Sequence, residues 1–161
     1  MSLFSLVFDR LVHGARALIR RVYWFFNLSK ARQGRFQTLD WPVICEGHGN
    51  IVLGAGASLG KLSELSAGKN STMEIGPNAT IRSGAVLKTG FDVHARIGKD
   101  FKLEQNARLF IQQNWVIGDQ VQIATDCALF SRESPAAGIL SIGSGTHIGD
   151  HTIIDLSLIH I

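Results

Sequence analysis

Histidine is the residue type in this chain that is best suited to proton transfer, because its pKa lies near neutral pH. The sequence holds six histidines. His147 and His151 are separated by three residues in the run IGSGTHIGDHTII, and His94 lies further upstream. These three are the candidates for a general base within the chain. The others are His13, His48 and His160.

Three aspartates and two cysteines could also carry chemistry. Asp119 and Asp150 follow Ile-Gly steps, where a short carboxylate typically satisfies the backbone amides of a bend, and we favour a structural role for Asp126 as well. Cys45 and Cys127 are too few and too separated for a disulfide framework or a cysteine zinc site. We predict that Cys127 packs at an inward position, and that the protein resides in a reducing cytosol.

A six-residue repeat must position these side chains. Every triplet of aliphatic residues six apart opens with Leu-Gly or Ile-Gly, and a small residue usually stands four places after each aliphatic one, with Phe101 and Val121 as exceptions. This period matches neither an α-helix nor a simple strand. It fits three short strands per turn of a prism, in which the aliphatic residue points inward and successive coils stack at about 4.8 Å. We therefore predict an all-β solenoid of about five coils over residues 51–155. The triplets are Leu53/Leu59/Leu65, Ile75/Ile81/Leu87, Ile97/Leu103/Leu109, Ile117/Ile123/Leu129 and Ile142/Ile148/Ile154.

The spacing between triplets predicts where a ligand would bind. Successive triplets are 10, 10, 8 and 13 residues apart, where 6 would be regular. The additional residues therefore fall at one corner of the prism, and insertions confined to one side of a solenoid usually build its binding side. The longest runs from Ser131 to Ser141, and the segment Lys88–Arg96 contains His94.

The first 35 residues differ in charge from the rest of the chain. They hold seven basic side chains and one acidic one, whereas the remainder holds nine basic and twelve acidic. Residues 3–26 show the spacing of an amphipathic helix, and its arginines interrupt any apolar run long before the ~20 residues that a membrane span needs. Two roles stay open: contact of residues 1–26 with the inner membrane leaflet, or packing on the solenoid as a cap. Residues 36–50 are predicted as a connector. No basic stripe indicates a nucleic-acid partner.

The repeats resemble those of a known family. The runs IGPNATIRSGAVL, IGKDFKLEQNARL, IGDQVQIATDCAL and IGSGTHIGDHTII are similar to hexapeptide-repeat acyltransferases, which form a left-handed parallel β-helix, and the likeness covers about residues 51–155. With its amphipathic leader, the chain is most similar to O-acetyltransferases of surface polysaccharide synthesis, such as colanic-acid acetyltransferases. The resemblance implies acetyl-CoA as acyl donor, a sugar or nucleotide-sugar acceptor, and a homotrimer in the cytoplasm with active sites in the clefts between neighbouring β-helices.

The sequence departs from that family where the catalytic histidine usually stands. The family's base follows an opener in a stretch like T-x-D-H, but IGDQVQIATDCAL is followed here by FSRESPAAG. Three explanations stay open: an inactive protein, a base at His147 or His151, or a catalytic coil beyond Ile161. We favour the last. The final residues, LSLIHI, resemble the translation of a transposon adapter used in DNA library preparation, so we expect residues 156–161 to be non-biological and this fragment to be inactive.

Two further expectations follow from the same comparison. The related γ-class carbonic anhydrases bind zinc with three histidines, two of them spaced H-x4-H, whereas His147 and His151 are spaced H-x3-H without a matching third ligand. We therefore predict no metal site. The alternative to a transferase is a membrane-associated β-helical scaffold without catalytic activity.

Overall fold

A computed structural model of the chain describes residues 31–33, 38–131 and 139–156. The predicted N-terminal helix lies outside the described residues. The segment 132–138 and most of the predicted non-biological tail, residues 157–161, lie outside them as well.

The described residues form eighteen short strands in three parallel sheets of six. Sheet A contains β1 (Ala31–Gln33), β4 (Asn50–Leu53), β7 (Thr72–Ile75), β10 (His94–Ile97), β13 (Asn114–Ile117) and β16 (Ile139–Ile142). Sheet B contains β2 (Thr38–Leu39), β5 (Ser58–Leu59), β8 (Thr80–Ile81), β11 (Lys102–Leu103), β14 (Gln122–Ile123) and β17 (His147–Ile148). Sheet C contains β3 (Ile44–Gly47), β6 (Glu64–Ala67), β9 (Val86–Thr89), β12 (Arg108–Ile111), β15 (Ala128–Phe130) and β18 (Ile153–Asp155).

The strand order makes the chain a solenoid. Each strand pairs in parallel with the strand three places later, so the backbone visits sheets A, B and C in turn. This is an all-β parallel solenoid of about five turns, which confirms the predicted fold class and is consistent with left-handed winding. The described residues include no α-helix.

The six-residue ladder forms the inner wall of the solenoid. Ile81, Leu103 and Ile123 are paired in register in sheet B and are at most 1% exposed. Each aliphatic side chain is therefore covered by its equivalents in the coils on either side. Phe101 and Val121, the exceptions to the small-residue pattern, are also fully buried, so they fill a corner that alanine occupies in other coils.

The additional residues between triplets lie at the corner between sheets C and A, as predicted. They lengthen the strands on both sides of that corner, because most strands of sheets A and C span four residues whereas those of sheet B span two. Ala67 and Met73, on the two sides of one such corner, are fully buried. In the described coils the additional length thus widens two faces of the prism.

The solenoid begins earlier than the repeat indicates. Strands β1, β2 and β3 form a coil before the first aliphatic triplet, so residues 38–39 and 44–47 of the predicted connector belong to the solenoid. Gln33 occupies the register position of the opener Leu53. A polar residue at that position explains why the six-residue pattern does not reveal this coil.

One turn residue per coil has a left-handed backbone at the corner between sheets B and C. The residues of successive coils at this position are Leu62, Gly84, Asn106, Asp126 and His151, with φ between 56° and 71°. Glycine, asparagine and aspartate tolerate this conformation better than other residues do, so Leu62 stands out in the series.

Candidate functional site

A groove of about 250 Å³ runs along the outer face of sheet A. It exists because strand alternation turns every second residue of β7, β10 and β13 outward, while Met73, Ala95 and Trp115 point into the core. The residues that line it are Thr72, Glu74, His94, Ala95, Arg96, Asn114, Trp115, Val116 and Ile139.

The strand register places the polar side chains of this groove in two rows. In the first row His94 lies opposite Thr72, and the Asn114 side chain accepts a hydrogen bond from the His94 backbone N–H at 2.8 Å. In the second row Arg96 lies opposite Glu74. Neighbouring strands are about 4.8 Å apart and two residues span about 6.6 Å, so long side chains from both rows can reach one ligand.

Among the described residues, the charged side chains of the groove form no ion pairs with one another. Within the described part of the chain, the ion pairs are Arg82–Glu104, Lys88–Glu64 and Lys99–Asp119, and the His151 imidazole contacts the Asp126 carboxylate. None of them includes Glu74, His94 or Arg96, and all three residues are exposed. The face therefore presents a base, a carboxylate and a guanidinium together, a set that can bind a polar ligand and accept a proton from it.

The two histidines predicted first lie on other surfaces. His147 is exposed on the outer face of sheet B, opposite Gln122. His151 occupies the left-handed turn between sheets B and C, with its Nδ1 atom 3.8 Å from Asp126 Oδ2. The structure thus distributes His94, His147 and His151 over three separate surfaces.

The structural roles predicted for the aspartates are confirmed. An Asp119 side-chain oxygen accepts a hydrogen bond from the Lys99 backbone N–H at 3.0 Å, and an Asp150 oxygen accepts one from the Thr125 N–H at 2.9 Å. Asp126 accepts a hydrogen bond from the Asn106 side-chain amide at 3.1 Å. Each carboxylate therefore connects neighbouring coils.

Both cysteines face the interior. Cys127 is 1% exposed and its Sγ donates to the Gly149 carbonyl at 2.8 Å, which confirms the predicted packing role. Burial raises the pKa of the Cys45 thiol to about 11. The environment of Cys45 therefore disfavours a thiolate nucleophile.

Sequence reasoning found His94 but missed its companions. Thr72, Glu74, Arg96 and Asn114 are polar residues at outward positions, which have no periodic signature of their own. The signal that could have found them is the coil length, since Glu74 and Arg96 are 22 residues apart, as are the openers Ile75 and Ile97.

Comparisons with known proteins leave the family unassigned. No protein-family model matches the chain, and no curated protein matches it. The part of the chain that the structure describes contains no group of three or more His, Cys, Asp or Glu side chains that could hold a metal ion. It also contains no helix of the length and apolarity that crossing a bilayer requires.

Proposed function

We propose that this protein is an acyl-CoA-dependent O-acetyltransferase that modifies a sugar hydroxyl, with His94 as general base. This assignment replaces the expectation of a base beyond Ile161 and predicts that the chain is active. The observation that carries the proposal is the groove of sheet A, where His94 shares one open face with Glu74, Arg96, Thr72 and Asn114. The resemblance of the repeats to acyltransferases supports acetyl-CoA as donor.

The proposed reaction needs one base and one site of positive charge. The His94 imidazole takes the proton of the acceptor hydroxyl while the oxygen attacks the thioester carbonyl carbon. Arg96 stabilises the negative charge that develops on the carbonyl oxygen. The C–S bond then breaks, the sulfur leaves with the proton from the imidazolium, and the products are the acetyl ester and free CoA.

The polar side chains beside His94 suit a hydroxylated acceptor. Glu74 accepts hydrogen bonds from hydroxyl groups, and the Thr72 hydroxyl can both donate and accept. The groove is open along one side of a single chain, so a neighbouring copy in the homotrimer that the resemblance implies would supply the opposite wall. We place this assembly in the cytoplasm.

Two measurements test the proposal. Isothermal titration with acetyl-CoA should show saturable binding by the full chain. Release of CoA thiol, followed over a panel of sugars and nucleotide sugars, should fall about 10²–10⁴-fold in His94→Asn, the loss typical of removing a general base. His147→Asn is the matched control, because His147 is also an exposed histidine on an outer sheet face. Loss of activity in His147→Asn or His151→Asn with full activity in His94→Asn would refute the assignment.

A membrane-associated scaffold without catalytic activity is the second candidate. It is favoured by the exposure of His94, His147 and His151, since none of them lies in an enclosed pocket of the single chain. This hypothesis predicts no acetyl-CoA binding, together with vesicle binding that charge reversal at Arg16, Arg20 and Arg21 abolishes. Saturable acetyl-CoA binding would exclude it.

A further inference from the structure

An apolar patch stands on the outside of the first two coils, at the corner between sheets B and C. It consists of Trp41, Ile44 and Leu62, which are 47%, 39% and 54% exposed. The backbone holds them on one surface: the Leu62 N–H donates to the Pro42 carbonyl, next to Trp41, and the Ile44 N–H donates to Ser63, next to Leu62. Isolated exposed apolar side chains are ordinary, but three contiguous ones indicate a contact surface.

The backbone of Leu62 is strained, and the fold itself does not explain why a leucine stands at this position. It adopts φ 61°, and the equivalent positions in the next three coils are Gly84, Asn106 and Asp126, which suit a left-handed backbone. A leucine here is strained and, within the described residues, exposed. Strain that persists at an exposed position points to a functional contact.

We propose that the patch of Trp41, Ile44 and Leu62 is the docking site for the chain's own leader, residues 3–26. The leader's sequence has a single apolar stripe that matches an apolar receptor. As a helix its 24 residues would be about 36 Å long. Only residues 27–30 separate it from β1, which lies in the same first coil as Trp41 and Ile44. This short tether keeps the local concentration of the leader high.

The charges beside the patch favour the leader over a membrane. Asp40 and Glu46 are exposed on either side of Trp41 and Ile44, and Lys61 is the exposed cation next to Leu62. The leader carries four arginines in residues 10–21 and one acid. Acidic flanks attract this basic segment, whereas they oppose the approach of anionic lipid headgroups. The proposal is independent of the acyltransferase assignment, since it involves neither His94 nor its groove.

Hydrogen exchange of the full chain tests the docking. The amides of residues 3–26 should be protected from exchange in the wild type. In Leu62→Asn this protection should fall at least about tenfold, because burial of a docked leucine side chain raises the equilibrium constant for docking by at least about tenfold. Asparagine fits the left-handed turn, as Asn106 does, so exchange in the strands should stay unchanged. Phe91→Ser is the control, since Phe91 is 70% exposed at the corner between sheets C and A.

Binding to vesicles of mixed phosphatidylcholine and phosphatidylglycerol distinguishes a leader docked on the patch from a leader that binds a membrane. If the leader docks on the patch, Leu62→Asn frees it and vesicle binding rises. An unprotected leader in the wild type, or one protected only when vesicles are present, would overturn the proposal. So would leader protection that is equal in wild type and Leu62→Asn, because the leader would then contact another surface or a second copy of the chain.

Discussion

Replacing Ile123 with alanine removes the middle of the buried aliphatic column on the inner side of sheet B. Ile123 is fully buried and lies in register between Leu103 below and Ile148 above. Deleting its three outer carbons loses about 2.4 kcal/mol of transfer free energy at about 0.8 kcal/mol per group. The cavity that remains between two well-packed coils adds to this, so we expect the free energy of unfolding to fall by about 4 kcal/mol.

Ile148→Ala is the matched comparison, because it changes the same residue type in the same column one coil later. Ile148 is only half-buried and packs on Ile123 from one side within the described residues. Water can fill the space that its side chain leaves, so we expect a loss of about 1–2 kcal/mol. The exposed Lys102→Ala, on the outer side of the same sheet, should cost less than about 0.5 kcal/mol.

Urea unfolding followed by circular dichroism measures all three variants. The slope of the free energy with urea should be unchanged, so that midpoints can be compared directly. Equal losses for Ile123→Ala and Ile148→Ala, within about 0.5 kcal/mol, would refute the reasoning. Such a result would mean that covering by neighbouring coils does not set the stability of the column.

Three further predictions concern turns, glycine packing and pH. Gly98→Ala should destabilise the fold by about 1–3 kcal/mol in thermal unfolding, because the new Cβ would lie 2.4 Å from Asp119 Oδ1. Asn106→Ala should cost about 2 kcal/mol and Asn106→Gly about 1 kcal/mol in urea unfolding, since both lose the hydrogen bond to Asp126 but only alanine is strained at φ 57°. Burial raises the pKa of the Cys45 thiol from 9.0 to about 11, so the unfolded thiol ionises first and stability falls by up to about 2–3 kcal/mol as pH rises from 9 to 11. Urea midpoints across that range should show a smaller fall in Cys45→Ala.

The fold could be predicted from the sequence because burial in a solenoid is periodic. Ile81, Leu103 and Ile123 face the core at the positions that the six-residue repeat assigns to them. The first coil could not be predicted in the same way, since the register position of Leu53 is held there by Gln33. The strands of the first coil are positioned by pairing with the second coil. The residue pattern within the first coil alone does not reveal this pairing.

The candidate site was harder to predict from the sequence than the fold. His94 is distinguishable by its chemistry, but Glu74 and Asn114 are 20 residues away on either side. Only the strand register makes them neighbours, and that register depends on the coil length, which varies along this chain. The segment Lys88–Arg96, predicted to lie on the binding side, includes parts of β9 and β10, so His94 and Arg96 lie on a sheet face.

The left-handed turn residues of successive coils stack on one another, and this stacking gives an independent reason to prefer His94 over His151. Asn106 donates to Asp126 in the coil above, and its Oδ1 atom points to the coil below, where a Cβ on Gly84 would lie 2.5 Å from it. The corner between sheets A and B repeats this Gly–Asn–Asp stack in Gly56, Asn78 and Asp100.

His151 continues the stack at the corner between sheets B and C, with its Nδ1 atom facing Asp126 and its backbone in the left-handed turn. Its position therefore follows from the way successive coils join. His94 holds no such turn position, and it faces the groove of sheet A together with Glu74 and Arg96, two charged residues that form no ion pair within the described residues. His94 is therefore the better candidate for binding and proton transfer, because it holds no turn position at which successive coils join and because its face carries charged residues that form no ion pair within the described residues.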